Sequence, residues 1–376
     1  MAWRPIKHLT VTLGVLLALV LTSCNIRVAD GDAASRTPDI SADGRYVAYS
    51  SLASNLVPGD TNGHEDVFVW DRTMRASVQV TEGDDDSYEP AISADGRYVA
   101  FTSEASDLVA TDPSPSSDIF VWDRVTGVTI AISDGNSPKN PAISADGRYV
   151  AYESWDSELA PDDTPGIIDV FVWDRNDAST IRITDDDVMD SGSPSISADG
   201  QVAYATSMHY MVEDPPIPFG DIFVWDATTG TTTQVTDGNN DSGSPDISSD
   251  GLHVSFFSEA SDLVPEDPAD GQPYAYVWDG ASGVIVRIGD GSRDVAISAD
   301  GRHVAYARGD VFVLDRVTGI TTQTTNGTGW CAHVEISGDG RYLTYHCDSP
   351  DVVPGDTNGV VDVFVWDQLH WRSPGP

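Results

Sequence analysis

Residues Pro90 to Gly135 read PAISADGRYVAFTSEASDLVATDPSPSSDIFVWDRVTGVTIAISDG, and the fold turns on how this stretch divides. Four short runs, PAIS, RYVAFTS, DIFVWD and VTIAIS, are separated by turn residues and are labelled a to d here. They are filled with Val, Ile, Phe, Tyr and Thr, the residues that suit pleated, packed strands. Run c is apolar without alternation, as expected of a strand covered on both faces. Helical periodicity is absent.

The same unit recurs along the chain. Ile-Ser-x-Asp-Gly begins at Ile40, Ile92, Ile143, Ile196, Ile247, Ile297 and Ile336. Each copy is followed by a version of Asp-Val-Phe-Val-Trp-Asp, at Asp66, Asp118, Asp169, Asp221, Tyr274, Asp310 and Asp362. Successive first motifs lie 52, 51, 53, 51, 50 and 39 residues apart, the last interval shortened by the loss of a loop. Seven four-stranded units, none able to bury both faces alone, predict radial stacking into an all-β, seven-bladed β-propeller of antiparallel blades. The repeat also resembles the WD40-like, TolB-type propeller repeat, whose Ser-Pro-Asp-Gly hallmark is matched by Ser-Ala-Asp-Gly at Ser41, Ser93, Ser144, Ser197 and Ser298. The resemblance covers essentially the whole chain after the first residues. It implies the propeller fold and leaves several functions open, since the family includes periplasmic accessory proteins, peptidase propellers and polysaccharide lyases.

The seventh repeat ends after its c run without a d strand, whereas Asn25 to Gly31 (NIRVADG) carries the d pattern of TIRITDD and VIVRIGDG. An N-terminal strand is therefore expected to complete the last blade and close the ring, removing a sheet edge. A three-residue loop between a and b would pair Ser337 with Arg341 and place Cys331 opposite Cys347, so a disulfide there is expected, with free thiols as the alternative. His333 and His346 lie near that pair. A zinc site is disfavoured because adjacent His346 and Cys347 must point to opposite sheet faces.

The chain has 376 residues, with 60 Asp and Glu against 20 Lys and Arg, a formal charge of −40. Such a surface repels nucleic acid and favours cations or basic partners. Laid onto a propeller, the acids gather on the face bearing the d-to-a and b-to-c loops, including Glu82, Asp84 to Asp86, Asp112, Asp162, Asp163, Asp185 to Asp187, Asp214, Asp237, Asp241, Asp267 and Asp290. Most arginines fall on the opposite face, Arg45, Arg97, Arg148, Arg302 and Arg341 after the a-to-b turn and Arg72, Arg124, Arg175 and Arg316 after strand c, within reach of Asp71, Asp123, Asp174 and Asp315.

Arg4 and Lys7 precede the apolar run Val11 to Leu21 and then Leu-Thr-Ser-Cys, ending at Cys24. This is the layout of an export signal, and the last four residues resemble the bacterial lipobox, which implies lipidation of Cys24; the alternative is an ordinary signal peptide. The expected division is a signal peptide at 1–23, a propeller at 24–370 and a tail at 371–376.

Gly-x-Ser-x-Gly, P-loop, His-Glu-x-x-His and paired Cys-x-x-Cys motifs are all missing from the sequence. The recurrent tryptophans of strand c, and His253 and His303 at the Tyr position of the Arg-Tyr-Val motif, read as packing groups. One chemical pattern stands out: Asp60, Asn62 and Asp66 in GDTNGHED, and Asp356, Asn358 and Asp362 in GDTNGVVD, resemble the start of extracellular calcium loops. The competing reading is an Asn-Gly turn with Asx hydrogen bonds. Blades one and seven adjoin across the seam, so the two loops are expected side by side. No cofactor is required by the sequence, and calcium is the one candidate.

The preferred reading is an exported, lipid-anchored, monomeric propeller of the cell envelope that binds a protein or basic ligand on its acidic face without catalysis, or a secreted one if Cys24 is unmodified. Two others stand beside it: a carbohydrate-active enzyme of polysaccharide-lyase type with a metal at the channel mouth, and an adhesion module with calcium-bridged loops.

Overall fold

The computed structural model describes residues 25–110, 116–133, 137–155, 166–184, 189–208, 219–265, 268 and 270–368. The signal segment, Cys24, the tail 371–376 and the loop acids Asp112, Asp162, Asp163, Asp185 to Asp187, Asp214 and Asp267 lie outside them. Among the described residues no helix is long and apolar enough to cross a membrane.

Seven four-stranded antiparallel sheets form the blades of the propeller. Blade one comprises strands a (Ser35–Ile40), b (Tyr46–Ser51), c (Asp66–Asp71) and d (Ala76–Gln79). Blades two to six repeat this order, and in blade six the b-to-c connection is reduced to Gly309 between Arg308 and Asp310. Blade seven draws a (Cys331–Ile336), b (Tyr342–Cys347) and c (Asp362–Asp367) from the C-terminal part of the chain and d (Asn25–Arg27) from the N-terminal part, with Ile26 opposite Val365.

Burial is greatest in the two middle strands of a blade. Strand c of blade one is buried along nearly its whole length, whereas the outer strand d alternates between exposed and half-buried. The core lies between blades: Val28, Ile40, Val47, Tyr49, Phe68 and Trp70 pack with Tyr342, Val363 and Val365 across the seam. The first Asp of strand c is held internally. Asp66 accepts from Thr81 (2.7 Å) and Gln79 (3.0 Å), and Asp221 from Thr236 (2.7 Å) and Gln234 (3.0 Å).

The a-to-b turn explains Ser-x-Asp-Gly. In blade one the Ser41 hydroxyl donates to Asp43 (2.8 Å) and accepts from the Tyr46 amide (2.9 Å), while Asp43 also accepts from the Arg45 amide (2.9 Å). The expected three-residue loop is corrected here, because four residues separate the bonded Ser and Tyr. In blade seven the Ser337 amide donates to the Tyr342 carbonyl (2.8 Å), Ile336 pairs with Leu343 and Glu335 with Thr344. A bulge between Ala332 and Glu335 then shifts the register by one, which restores Cys331 opposite Cys347, and the two are joined by a disulfide. The extra turn residue and the bulge cancel.

Blades interlock at this end. Gly96 of blade two has φ +68°, and a Cβ there would lie 2.2 Å from the Tyr46 ring of blade one. The guanidinium of Arg124, also from blade two, stands 4.0 Å over the same ring. His253 and His303 fill the equivalent space against Gly301 and Gly340. Arg45, Arg97, Arg148, Arg302 and Arg341 pair with Asp71, Asp123, Asp174, Asp315 and Asp367 at 2.7–2.9 Å, so these five acids of that face are each met by a guanidinium. The expected acid partners of Arg72 and Arg124 are taken by these pairs; Arg72 and Arg124 instead donate to the carbonyls of Gly44 and Gly96, both at 2.7 Å.

Candidate functional site

Strand a of every blade faces the ring axis, and Pro38, Pro90, Pro141, Pro194 and Pro245 interrupt it. Proline lacks the N–H of a ladder bond and so marks a bulge in an edge strand. The residue before each, Thr37, Glu89, Asn140, Ser193 and Ser244, has a φ between +44° and +55°, as does His333 before Val334. Backbone of this kind is costly for non-glycine residues and persists where surroundings fix it. Here neighbouring blades do so. The Asn140 amide donates to Glu89 (2.9 Å), the Ser193 amide to Glu153 (2.7 Å) and the Thr37 amide to Nδ1 of His346 (3.3 Å).

The bulged strands a, together with the regular strand a of blade six, present two tiers of side chains to a central cavity of about 540 Å³. Thr37, Glu89, Asn140, Ser193, Ser244, Asp294 and His333 form the tier nearer the loop face; Asp39, Ala91, Ala142, Ser195, Asp246 and Glu335 form the deeper tier. No residue of the a-to-b turns lines the cavity. Its titratable lining is five carboxylates, Asp39, Glu89, Asp246, Asp294 and Glu335, and one imidazole, His333.

The deeper acids differ in their partners. Asp39 accepts from the amides of Ile40 and of Ile92 in the next blade, both at 2.6 Å. Asp246 accepts from the Ser195 hydroxyl (2.8 Å) and the Ile297 amide (2.7 Å). No described residue donates a hydrogen bond to the Glu335 carboxylate. Burial raises Asp39 to about 7 and Asp246 to about 6 although amide donors pull them down. Glu335 is pushed well above the ordinary range by burial and then by the charges of Asp246, Asp39 and Asp294. Sequence reasoning missed this tier. The usable signal is the variable residue of Pro-x-Ile-Ser, read as axis-facing once a strand-a bulge is inferred from the proline.

Above the cavity on blade seven, exposed Trp330, His333 and buried His346 make an aromatic step, with ring centroids 4.9 Å apart for the two histidines and 6.1 Å for Trp330 and His346. Burial lowers His346 to about 3. It is a neutral acceptor for the Thr37 amide.

The two Asp-x-Asn-Gly loops take the Asx arrangement. Asn62 Oδ1 accepts from the His64 amide (3.1 Å), and its amide group donates to Asp66 (3.0 Å) and the Gly83 carbonyl (3.1 Å). In the second loop Asn358 Oδ1 accepts from the Val360 amide (3.2 Å), while its amide group donates to Asp362 (3.0 Å) and the Gly31 carbonyl (3.1 Å). Here Arg27 already supplies a cation, at 3.2 Å from Asp356 and 3.5 Å from Asp362. Asp60 is raised by burial, then by Asp32 and Glu82; Asp362 is raised to about 6, chiefly by burial. The loops flank Gly31–Asp32, which also accepts from Ser54 (2.9 Å). Their carboxylates are not gathered into one cluster. Among the described residues the one group of three imidazole, thiolate or carboxylate ligands within mutual reach is His64, Asp85 and Asp86, at the surface beside blade one.

No family model and no curated protein matches the chain. Solved propellers do. An oligogalacturonate lyase in complex with manganese is 10% identical over 91% of this chain and 92% of its own, with a TM-score of 0.65. The β-propeller domain of the trilobed protease from Pyrococcus furiosus is 16% identical over 90% of this chain and 94% of its own (TM-score 0.60). TolB from Acinetobacter baumannii is 16% identical over 75% of this chain, which spans 64% of that structure's length (TM-score 0.51). At these identities the likeness is one of fold, the β-propeller.

Proposed function

We propose that the protein is an exported, lipid-anchored binding module, non-enzymatic and monomeric, which receives a basic partner on its acidic loop face. The observation that carries this reading is the cavity, whose titratable lining is five carboxylates and a single imidazole. A low-dielectric wall lined by one sign of charge focuses the field and attracts the opposite charge. The same lining disfavours a polyuronate substrate. Asn25 pairs with Trp366 at the end of strand c that meets the arginine-bearing turns. A lipid on Cys24 would therefore hold that face to the membrane and turn the acids outward.

The test is fluorescence anisotropy with labelled heptalysine and heptaglutamate at 50 and 300 mM salt. Heptalysine is expected to bind and to weaken strongly with salt, and heptaglutamate not to bind. Equal affinity for the two, or cleavage of uronic-acid oligosaccharides by the purified domain, would replace this reading. Cys24→Ser should move the protein from the membrane to the soluble fraction.

A further inference from the structure

We infer that the channel is a proton-linked receptor, in which an entering ammonium or guanidinium group displaces protons held on Asp39, Asp246 and Glu335. This rests on the acidic face being the receptor for a basic partner. The three carboxylates come from blades one, five and seven and face one cavity. The charged groups around them add little positive potential. Asp294 of blade six and Glu89 of blade two are further acids, and His333 of blade seven lies in the tier above. Lys139 is tied to Glu153 at 3.3 Å, His346 is neutral, and Arg36 is exposed at the outer end of its strand.

Three negative charges on the wall of one channel, with no Lys or Arg lining it, are unfavourable, so the empty channel retains protons. The upward displacement of Asp39 to about 7 and Asp246 to about 6 agrees with this. An arriving cation reverses the balance because an opposite charge favours the ionised carboxylate. The step is COOH plus R–NH₃⁺ giving COO⁻···⁺H₃N–R plus H⁺, with only an O–H bond broken. Glu335 gains most, since Asp39 and Asp246 already hold amide donors and it holds none.

Calorimetry with heptalysine at pH 6, 7 and 8, in two buffers of different ionisation enthalpy, reads the linkage directly. Binding should release protons, and affinity should rise roughly tenfold per pH unit for each proton released. Carboxyl-carbon NMR of the free protein should show the three groups titrating above the ordinary carboxylate range. Glu335→Gln, close in shape, should lower both proton release and affinity at pH 7. Heptalysine binding without proton release, or ordinary titration of all three carboxylates, overturns the linkage and leaves the binding function standing. Failure of heptalysine to bind at pH 8 overturns both.

Discussion

Glu335 carries the clearest pH signature at the scale of single residues. Its carboxyl, like those of Asp39 and Asp246, ionises at higher pH in the folded protein than in the unfolded chain, where a carboxyl titrates near 4. Between the unfolded value and the raised folded one the native state binds more protons, so these groups' contribution to stability falls as pH rises through that window. The arginine-paired acids act in the opposite sense: Asp71, Asp123 and Asp315 are held below the ordinary range, chiefly by Arg45, Arg97 and Arg302, and their contribution is lost as pH falls below about 4. Glu335→Gln should therefore raise the melting temperature at pH 8, on the order of 1 kcal/mol or roughly 2 °C for a domain this large, and leave it nearly unchanged at pH 4.5. Thermal melts at the two pH values decide it, and an equal offset at both removes the ionisation argument. None of this was legible from the motif alone. Asp39, Asp246 and Glu335 occupy a position filled elsewhere by Ala or Ser, and their shared cavity exists only once seven strands converge.

At the scale of the element, the a-to-b hairpin was legible as a turn and misread in register. Ser-x-Asp-Gly announces the turn because hydroxyl, carboxylate and left-handed glycine each have a defined task in it. Its length and the bulge were hidden by compensation: one added turn residue is cancelled by one bulge residue, so the cysteines meet by either count. The prolines of strand a were the overlooked signal. The glycine has a second duty, which the structure separates from the first. Gly96 (φ +68°) is pressed against Tyr46, whereas at Gly127 (φ +70°) in a c-to-d turn an added Cβ would meet nothing within 4 Å. Alanine at Gly127 should cost about 1 kcal/mol for backbone strain alone. At Gly96 the same strain is joined by displacement of a ring that also receives Arg124, and a loss of roughly 3 kcal/mol is expected. Urea denaturation of the two variants compares them; equal losses would mean that this glycine contact does not help to hold neighbouring blades together.

The whole molecule is where the sequence was most transparent, because repetition turns a local pattern into a global one. Seven copies at nearly constant spacing specify the ring, and the unpaired d pattern at Asn25 to Gly31 supplies the strand that repeat seven lacks. What the calcium-like motif does was not legible in the same way. In blade one Asp66 is satisfied by Thr81, Gln79 and Asn62, while in blade seven Arg27 from the other end of the chain reaches Asp356 and Asp362. The closing strand therefore contributes a charge as well as an edge. Removing Asn25 to Asp30 would expose strand c of blade seven, withdraw Val28 and Ala29 from the seam core, and leave Asp356 and Asp362 without Arg27. Each is a recognised source of large destabilisation, and together they should lower the melting temperature by on the order of 10 °C. Trimming Ser373 to Pro376 is the matched control, expected to change it by about 1 °C or less. If both truncations shift the melt equally, closure by the N-terminal strand is not what holds the ring. If only the first does, the seam is the weak point of an otherwise uniform array, since the four strands of every other blade are consecutive in the chain, whereas in blade seven strand d is held to strand c by three paired residues and to the b-to-c loop by the Arg27 guanidinium.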